Sequence, residues 1–379
     1  MKKYIIALLL SSCLTACGFF DKDNTPAPSP LVNFPQQANP QLLWSASVGR
    51  GVENEYLRLG PAVGDQAIFT ANANGKVSAT GKLSGDHLWS TNTKRDLSGS
   101  PGVGDGLVIV GTREGEVVAL NQQNGKIAWT AQVSSEILAP IVISQHRVLI
   151  KSIDGKLTVF STQGFRLWDY RQTEPVLILR ASSAPQVSGN NVVAGFANGG
   201  LAKLTLNEGS LLWSQTIGVP QGSFAIQRMV DIDADPVIFN HRIYAATYQG
   251  SIAAVDWTQG NPLWTREISS YTGIAATPQQ VFVTDAKSHV HAFHASNGHL
   301  DWEQLQLEHR VITGPAIMGN TLVVGDQEGY LHWISQQDGH FIARAHLGGS
   351  GIFANPVVDH GILYVVTRNG KLAAYSLSS

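Results

Sequence analysis

The 379-residue chain carries 26 Lys and Arg against 28 Asp and Glu, a formal charge of −2, so it lacks the basic field that binding nucleic acid would require. Its two cysteines, Cys13 and Cys17, both lie near the start, which excludes a disulfide framework for the rest. Stability must come from burial, and the chain is long enough to bury a large core or a series of repeated ones.

Lys2 and Lys3, an apolar run from Tyr4 to Leu10 and the small residues after it form a secretory signal over residues 1–16. The run is too short to span a bilayer. Leu14-Thr15-Ala16-Cys17 resembles the bacterial lipobox, whose cysteine is diacylated and becomes the first residue of the mature chain. The resemblance implies a palmitate-bearing anchor at Cys17. Gly18 and Phe19 follow, with no Asp resembling the inner-membrane retention signal, which implies the outer membrane on its periplasmic side. Residues 17–40 hold five of the sixteen prolines and read as a flexible, partly polyproline linker ahead of a folded body at 41–379.

That body is a repeat. Pro61 to Trp89, Pro101 to Trp129, Pro140 to Trp168, Pro185 to Trp213 and Pro236 to Trp264 are each separated by 28 positions. Two further units keep the length with one landmark changed, Ile274 to Trp302 and Pro315 to Ala343. Gly85, Gly125, Gly164, Gly209, Gly260, Gly298 and Gly339 each lie four residues before the closing position, marking a turn with positive φ or a close backbone approach. An eighth unit opens at Pro356 and stops five residues short of its tryptophan, while Trp44 stands spare ahead of the first unit. A closed ring explains both.

Runs such as "LVIVGT", "IYAATY" and "LYVVTR", bounded by turn residues, predict four antiparallel strands per unit, and no sustained helical period follows the signal. Their continuous apolar character fits strands covered on both faces. The expected fold is all-β: an eight-bladed β-propeller closed by the N-terminal strand. Trp44, Trp89, Trp129, Trp168, Trp213, Trp264 and Trp302 are expected to dock blades together, not to carry chemistry.

"LNQQNGKIAW", residues 120–129, resembles the tryptophan-docking repeat of the pyrroloquinoline-quinone dehydrogenases. Those enzymes resemble one another in a vicinal cysteine pair, a calcium site and a catalytic aspartate, whereas only Cys17 remains here after cleavage, so no cofactor and no enzymatic activity are expected. "DIDADP" (231–236) alternates aspartates as a calcium loop does, but Pro236 stands where such a loop needs glycine. "HVHAFHASNGH" (289–299) spaces imidazoles along a strand with no cysteine, and no carboxylate within or directly after the run until Asp301, so no metal is expected.

The lipobox, the Pro-rich linker and eight tryptophan-closed units together resemble the propeller lipoproteins of the outer-membrane β-barrel assembly machinery. The resemblance implies a non-enzymatic periplasmic scaffold that binds the barrel-forming subunit and assists folding and insertion of nascent outer-membrane proteins. A glycan- or small-ligand-binding propeller is the alternative class. It requires a central funnel lined by aromatics and carboxylates, and the sequence shows no such concentration.

Connectors between closing and opening landmarks are longest at 168–185 and 213–236, the neighbours that flank the fourth blade. They contain Leu177, Leu179 and Arg180 on one side and Asp231 and Asp233 on the other, apolar anchors with charged edges. An internal Arg180–Asp231 pair, with the leucines packed on the blade, is equally open from the residues alone. The "LxLR" and "DxD" segments resemble those with which the family binds the barrel subunit, which implies that these five residues form one partner surface. Arg58, on the 44–61 connector half a turn away, is expected to lie outside it.

Overall fold

The computed structural model describes residues 26–52 and 55–378; Cys17 and the signal lie outside them. The strands form eight four-stranded antiparallel sheets, each built from consecutive strands except the last, and the one helical element among the described residues is a 3-10 turn at Ala225–Arg228. This is the expected eight-bladed propeller. Blade 4 shows the plan, with strands Gln186–Ser188, Asn191–Gly195, Gly200–Thr205 and Leu211–Thr216 hydrogen-bonded in that order.

Burial follows position within a blade. The second strand of blade 2, Leu107–Thr112, is buried throughout, whereas its outermost strand, Ile127–Gln132, alternates between exposed and half-buried. A middle strand has a neighbouring blade on each face, so continuous apolar sequence is what the packing selects. The outer strand meets solvent and reverts to period two.

The eighth sheet joins Val357–Asp359, Ile362–Val366 and Lys371–Ser378 to the N-terminal strand Asn39–Ser47, which pairs antiparallel with Trp44 opposite Ala374. The ring therefore closes between the two ends of the propeller, as the spare tryptophan implied.

Each of the seven tryptophans lies against the turn glycine of the next blade. Trp44 meets Gly85, Trp89 meets Gly125, Trp129 meets Gly164, Trp168 meets Gly209, Trp213 meets Gly260, Trp264 meets Gly298 and Trp302 meets Gly339. At Gly209, φ is 70° and an added Cβ would fall 2.5 Å from the Trp168 ring, so both reasons for glycine hold at once. The indole N–H of each ring donates to a carbonyl near that turn, from Trp44 to Lys82 O at 3.1 Å through Trp302 to Gln336 O at 2.8 Å.

Blade 7 departs from the rule in a way the sequence did not explain. Its outer strand has Ala343 where tryptophan belongs, and the residue opposite on the third strand is Trp333, fully buried, edge-on to Tyr375 of blade 8 at 6.1 Å. In blades 1, 2, 5 and 6 the third-strand partner of tryptophan is alanine. Blade 7 exchanges the two across the ladder, so the indole still fills the seam although the short last unit offers no docking turn.

The second half of the expected linker is seated on the ring. Ser29 N–H donates to Glu308 O at 3.0 Å and Gln37 N–H to Ile342 O at 2.8 Å. Arg310 and Arg344 donate to the carbonyls of Ser29 and Val32. Phe34 stacks on Phe341 at 5.3 Å. Proline holds this backbone extended, which leaves its carbonyls open to guanidinium donors and its few apolar side chains free to pack.

Candidate partner-binding face

The connectors flanking blade 4 run beside one another and are stitched along their length. Leu179 N–H donates to Asp231 Oδ1 at 2.8 Å, Ser183 Oγ to Ile232 O at 2.7 Å and Ala184 N–H to Asp235 Oδ1 at 2.6 Å. From beneath, Lys151 Nζ donates to Ser183 Oγ and to Gly195 O. Segments of this length would otherwise be mobile; here buried carboxylates fix them.

Leu177 and Arg180 are exposed on that scaffold and Leu179 is half-buried. Arg180 Nη2 donates to Glu136 Oε1 at 2.6 Å, from the connector before blade 3, so its pairing is not with Asp231. The aspartates do not share the outer surface expected of them. Asp231 is fully buried and Asp233 nearly so, and each has an Oδ2 without a hydrogen-bond partner among the described residues. The geometry thus separates the five residues into an exposed group, Leu177 and Arg180 with Leu179 behind, and a buried pair that holds it.

Burial dominates the electrostatics of this support. It raises the Asp231 carboxyl to about 6, against the hydrogen bond from Leu179. Asp233 is raised to about 7, by burial first and then by the neighbouring Asp231, while Lys151 and Arg58 oppose the shift. Lys151 is pushed down to about 8 by burial, against the fields of Asp233, Glu174, Asp235 and Asp231. Among the described residues the three aspartates do not bring their oxygens together as a metal site would.

A carboxyl whose folded pKa lies above its unfolded value of 3.8 contributes stability that is complete below about pH 4 and lost as pH rises toward 7. Asp233→Asn removes that loss. The variant is expected to raise Tm by about 2 °C or more at pH 8 and by much less at pH 4, read by calorimetry. An equal shift at both pH values would show that the carboxyl is not paying for its burial.

The sequence profile described as outer membrane protein assembly factor BamB matches residues 73–304 and 286–379. The chain is 43% identical to the Alkalilimnicola ehrlichii factor over 338 residues, 89% of this chain and 88% of that one. The match to the Yersinia pestis factor is 32% over 388 residues, 99% of each. The chain belongs to the BamB family. BamB from Moraxella catarrhalis superposes with a TM-score of 0.82 at 26% identity, covering 89% of this chain and 100% of that one. A quinohemoprotein alcohol dehydrogenase from Comamonas testosteroni, at 12% identity and a TM-score of 0.71 over 89% of this chain and 76% of that one, shares the fold alone.

On this propeller the connectors converge on a central funnel of about 660 Å³, and two expectations fail there. Arg58 is no remote control position, because it lines the same funnel as Leu179, Arg180 and Asp233 and donates to Tyr271 O at 2.7 Å. The funnel also gathers Tyr56, Tyr248, Tyr271 and Phe353 with Asp233 and Asp235, residues too far apart in sequence to read as one lining. Two of these rings carry a guanidinium, Arg58 over Tyr271 at 5.0 Å and Arg368 over Phe353 at 5.4 Å, Tyr248 meets Tyr271 edge-on, and Tyr56 is exposed. Sequence reasoning also assigned no role to Phe224 and Ile226, exposed at 68% and 60% on the second connector, whose signal was two large apolar residues beside the turn at Gly222.

Proposed function

We propose that this chain is a non-enzymatic scaffold of the outer-membrane β-barrel assembly machinery, held by a lipid on Cys17 at the periplasmic face of the outer membrane. It binds the barrel-forming subunit through the connectors flanking blade 4 and assists the folding and insertion of outer-membrane proteins. The family supplies the assembly role. The observation that supports the location is the pair of stitched connectors, which holds Leu177 and Arg180 outward while burying the carboxylates that position them. Leu179, Arg180 and the funnel mouth are continuous, so one partner element can cover all three. A pull-down with the tagged, lipidated protein from detergent-solubilised envelopes tests the reading. Recovery of the barrel-forming subunit supports it, and its absence beside correctly lipidated, folded bait rejects it.

The anchor has its own test. Cys17→Ser removes the acyl-accepting thiol, so metabolic labelling with palmitate is expected to drop to background and the product to stay uncleaved or become soluble. Label retained by the serine variant refutes the assignment.

A further inference from the structure

Blade 6 places a carboxylate and two imidazoles together at the turn between its second and third strands. Asp285 Oδ2 lies 3.0 Å from His289 Nδ1 and 3.0 Å from His291 Nε2, and all three side chains are mostly buried with one side open. Asp285 Oδ1 is already committed, accepting the N–H groups of Lys287 and His289, which fixes the direction of the other oxygen. The outer ring nitrogens face carboxylates too, His289 Nε2 at 3.7 Å from Glu308 and His291 Nδ1 at 3.6 Å from Glu303. From this geometry we infer that Asp285, His289 and His291 form a binding site for a divalent zinc-class ion.

Blade 7 provides the internal comparison. There Asp326 Oδ1 accepts from Glu328 and Tyr330 N–H, and its Oδ2 meets His332 Nε2 at 3.0 Å, the same relation one repeat on. That arrangement is closed. Arg310 also donates to Asp326 Oδ2, Arg344 Nε donates to the other nitrogen of His332, and both Asp326 and His332 are fully buried. Blade 6 differs at the decisive points: His289 stands where blade 7 has Tyr330, and no guanidinium or ammonium is hydrogen-bonded to Asp285 among the described residues. Three donors converge with no cation among them.

Donors bound tetrahedrally to one ion at about 2.0–2.2 Å stand roughly 3.3–3.6 Å from each other, so the 3.0 Å spacings need only a few tenths of an ångström of opening. Two imidazoles and a carboxylate are a borderline donor set that suits zinc and its first-row neighbours and suits calcium or magnesium poorly. Glu303 and Glu308 stand where carboxylates commonly orient metal-bound histidine through its second nitrogen. Solvent on the open side supplies the fourth ligand. Glu308 O also accepts from Ser29 N–H, so the site borders the place where the N-terminal segment meets the ring. Asp285 lies four residues before His289, outside the histidine run of 289–299, so the run alone does not show the carboxylate.

The test uses the untagged, lipidated full chain in detergent, stripped with a chelator and titrated with Zn2+ at pH 7.4 by calorimetry. One equivalent is expected to bind, and affinity should fall at least about tenfold in His289→Gln and in His291→Gln. His294→Gln and His299→Gln, exposed on the same strand and turn, should bind as the wild type does. Co2+ in place of Zn2+ gives a second readout in the visible d–d bands. Absence of stoichiometric binding by the wild type overturns the inference, as does unchanged binding by a folded His289→Gln/His291→Gln double variant. If that double variant fails to fold, the Co2+ spectrum of the wild type decides, and bands without nitrogen ligation count against the site.

Discussion

Trp44→Ala is expected to destabilise the folded ring by roughly 3 to 5 kcal/mol, a fall in Tm of about 4–7 °C read by calorimetry. The indole is the sole tryptophan that joins the last blade to the first. Its ring covers Gly85, its N–H donates to Lys82 O at 3.1 Å, and it tilts against Tyr364 at 6.2 Å. Tyr364 and the Lys82–Asp359 ion pair cross the same seam but cannot fill the volume that the indole leaves. Trp44→Phe keeps most of the ring and loses the hydrogen bond, so it should cost about 1 kcal/mol. Removing the chain up to Gly49 goes further, since it strips the partner strand from Lys371–Ser378 and leaves an open edge in a sheet that is otherwise complete. That truncation should lower Tm more than Trp44→Ala and promote association. An unchanged melting temperature after truncation would refute closure by the N-terminal strand.

Closure was legible in the sequence because it rests on spacing. A 28-residue interval with a glycine four positions before its end survives translation into structure: the same turn meets the same ring at seven of the eight seams. What spacing cannot convey is a compensation between strands. Ala343 read as a missing landmark, and only the ladder shows Trp333 opposite it. The candidate site was legible in part for a similar reason. Connector length singled out two segments that lie side by side at blade 4, and Leu177 and Arg180 are outward as expected. The aspartates were misplaced because sequence favours exposed carboxylates in loops, whereas here two long connectors lie side by side and the second uses Asp231 and Asp235 to accept backbone N–H groups of the first. The funnel was invisible for a more general reason, its lining being drawn from connectors far apart in the chain.

That redistribution changes what mutation of the partner surface should do. The Leu177→Ala, Leu179→Ala, Arg180→Glu triple variant is expected to lose copurification with the barrel-forming subunit, with affinity down about 100-fold or more, because it removes the apolar anchors and inverts the charge beside them. Folding should survive, since Leu177 is 42% exposed and the Arg180 side chain 51%. Arg180→Glu alone sets a second acid against Glu136, and Glu136→Arg in the same chain should restore an ion pair without restoring the partner contact. The aspartates call for different substitutions, because a reversed charge in so buried a place would disturb the connector itself. Asp231→Asn retains an oxygen for the Leu179 N–H and should leave binding near wild type; Asp231→Ala removes that acceptor, frees the Leu179 segment and should weaken binding while costing about 1–3 kcal/mol of stability. If Asp231→Asn instead abolishes binding in a protein of unchanged Tm, the carboxylate reaches the partner directly and its burial is relieved in the complex. Full binding by a correctly folded triple variant would place the interface on another part of the ring.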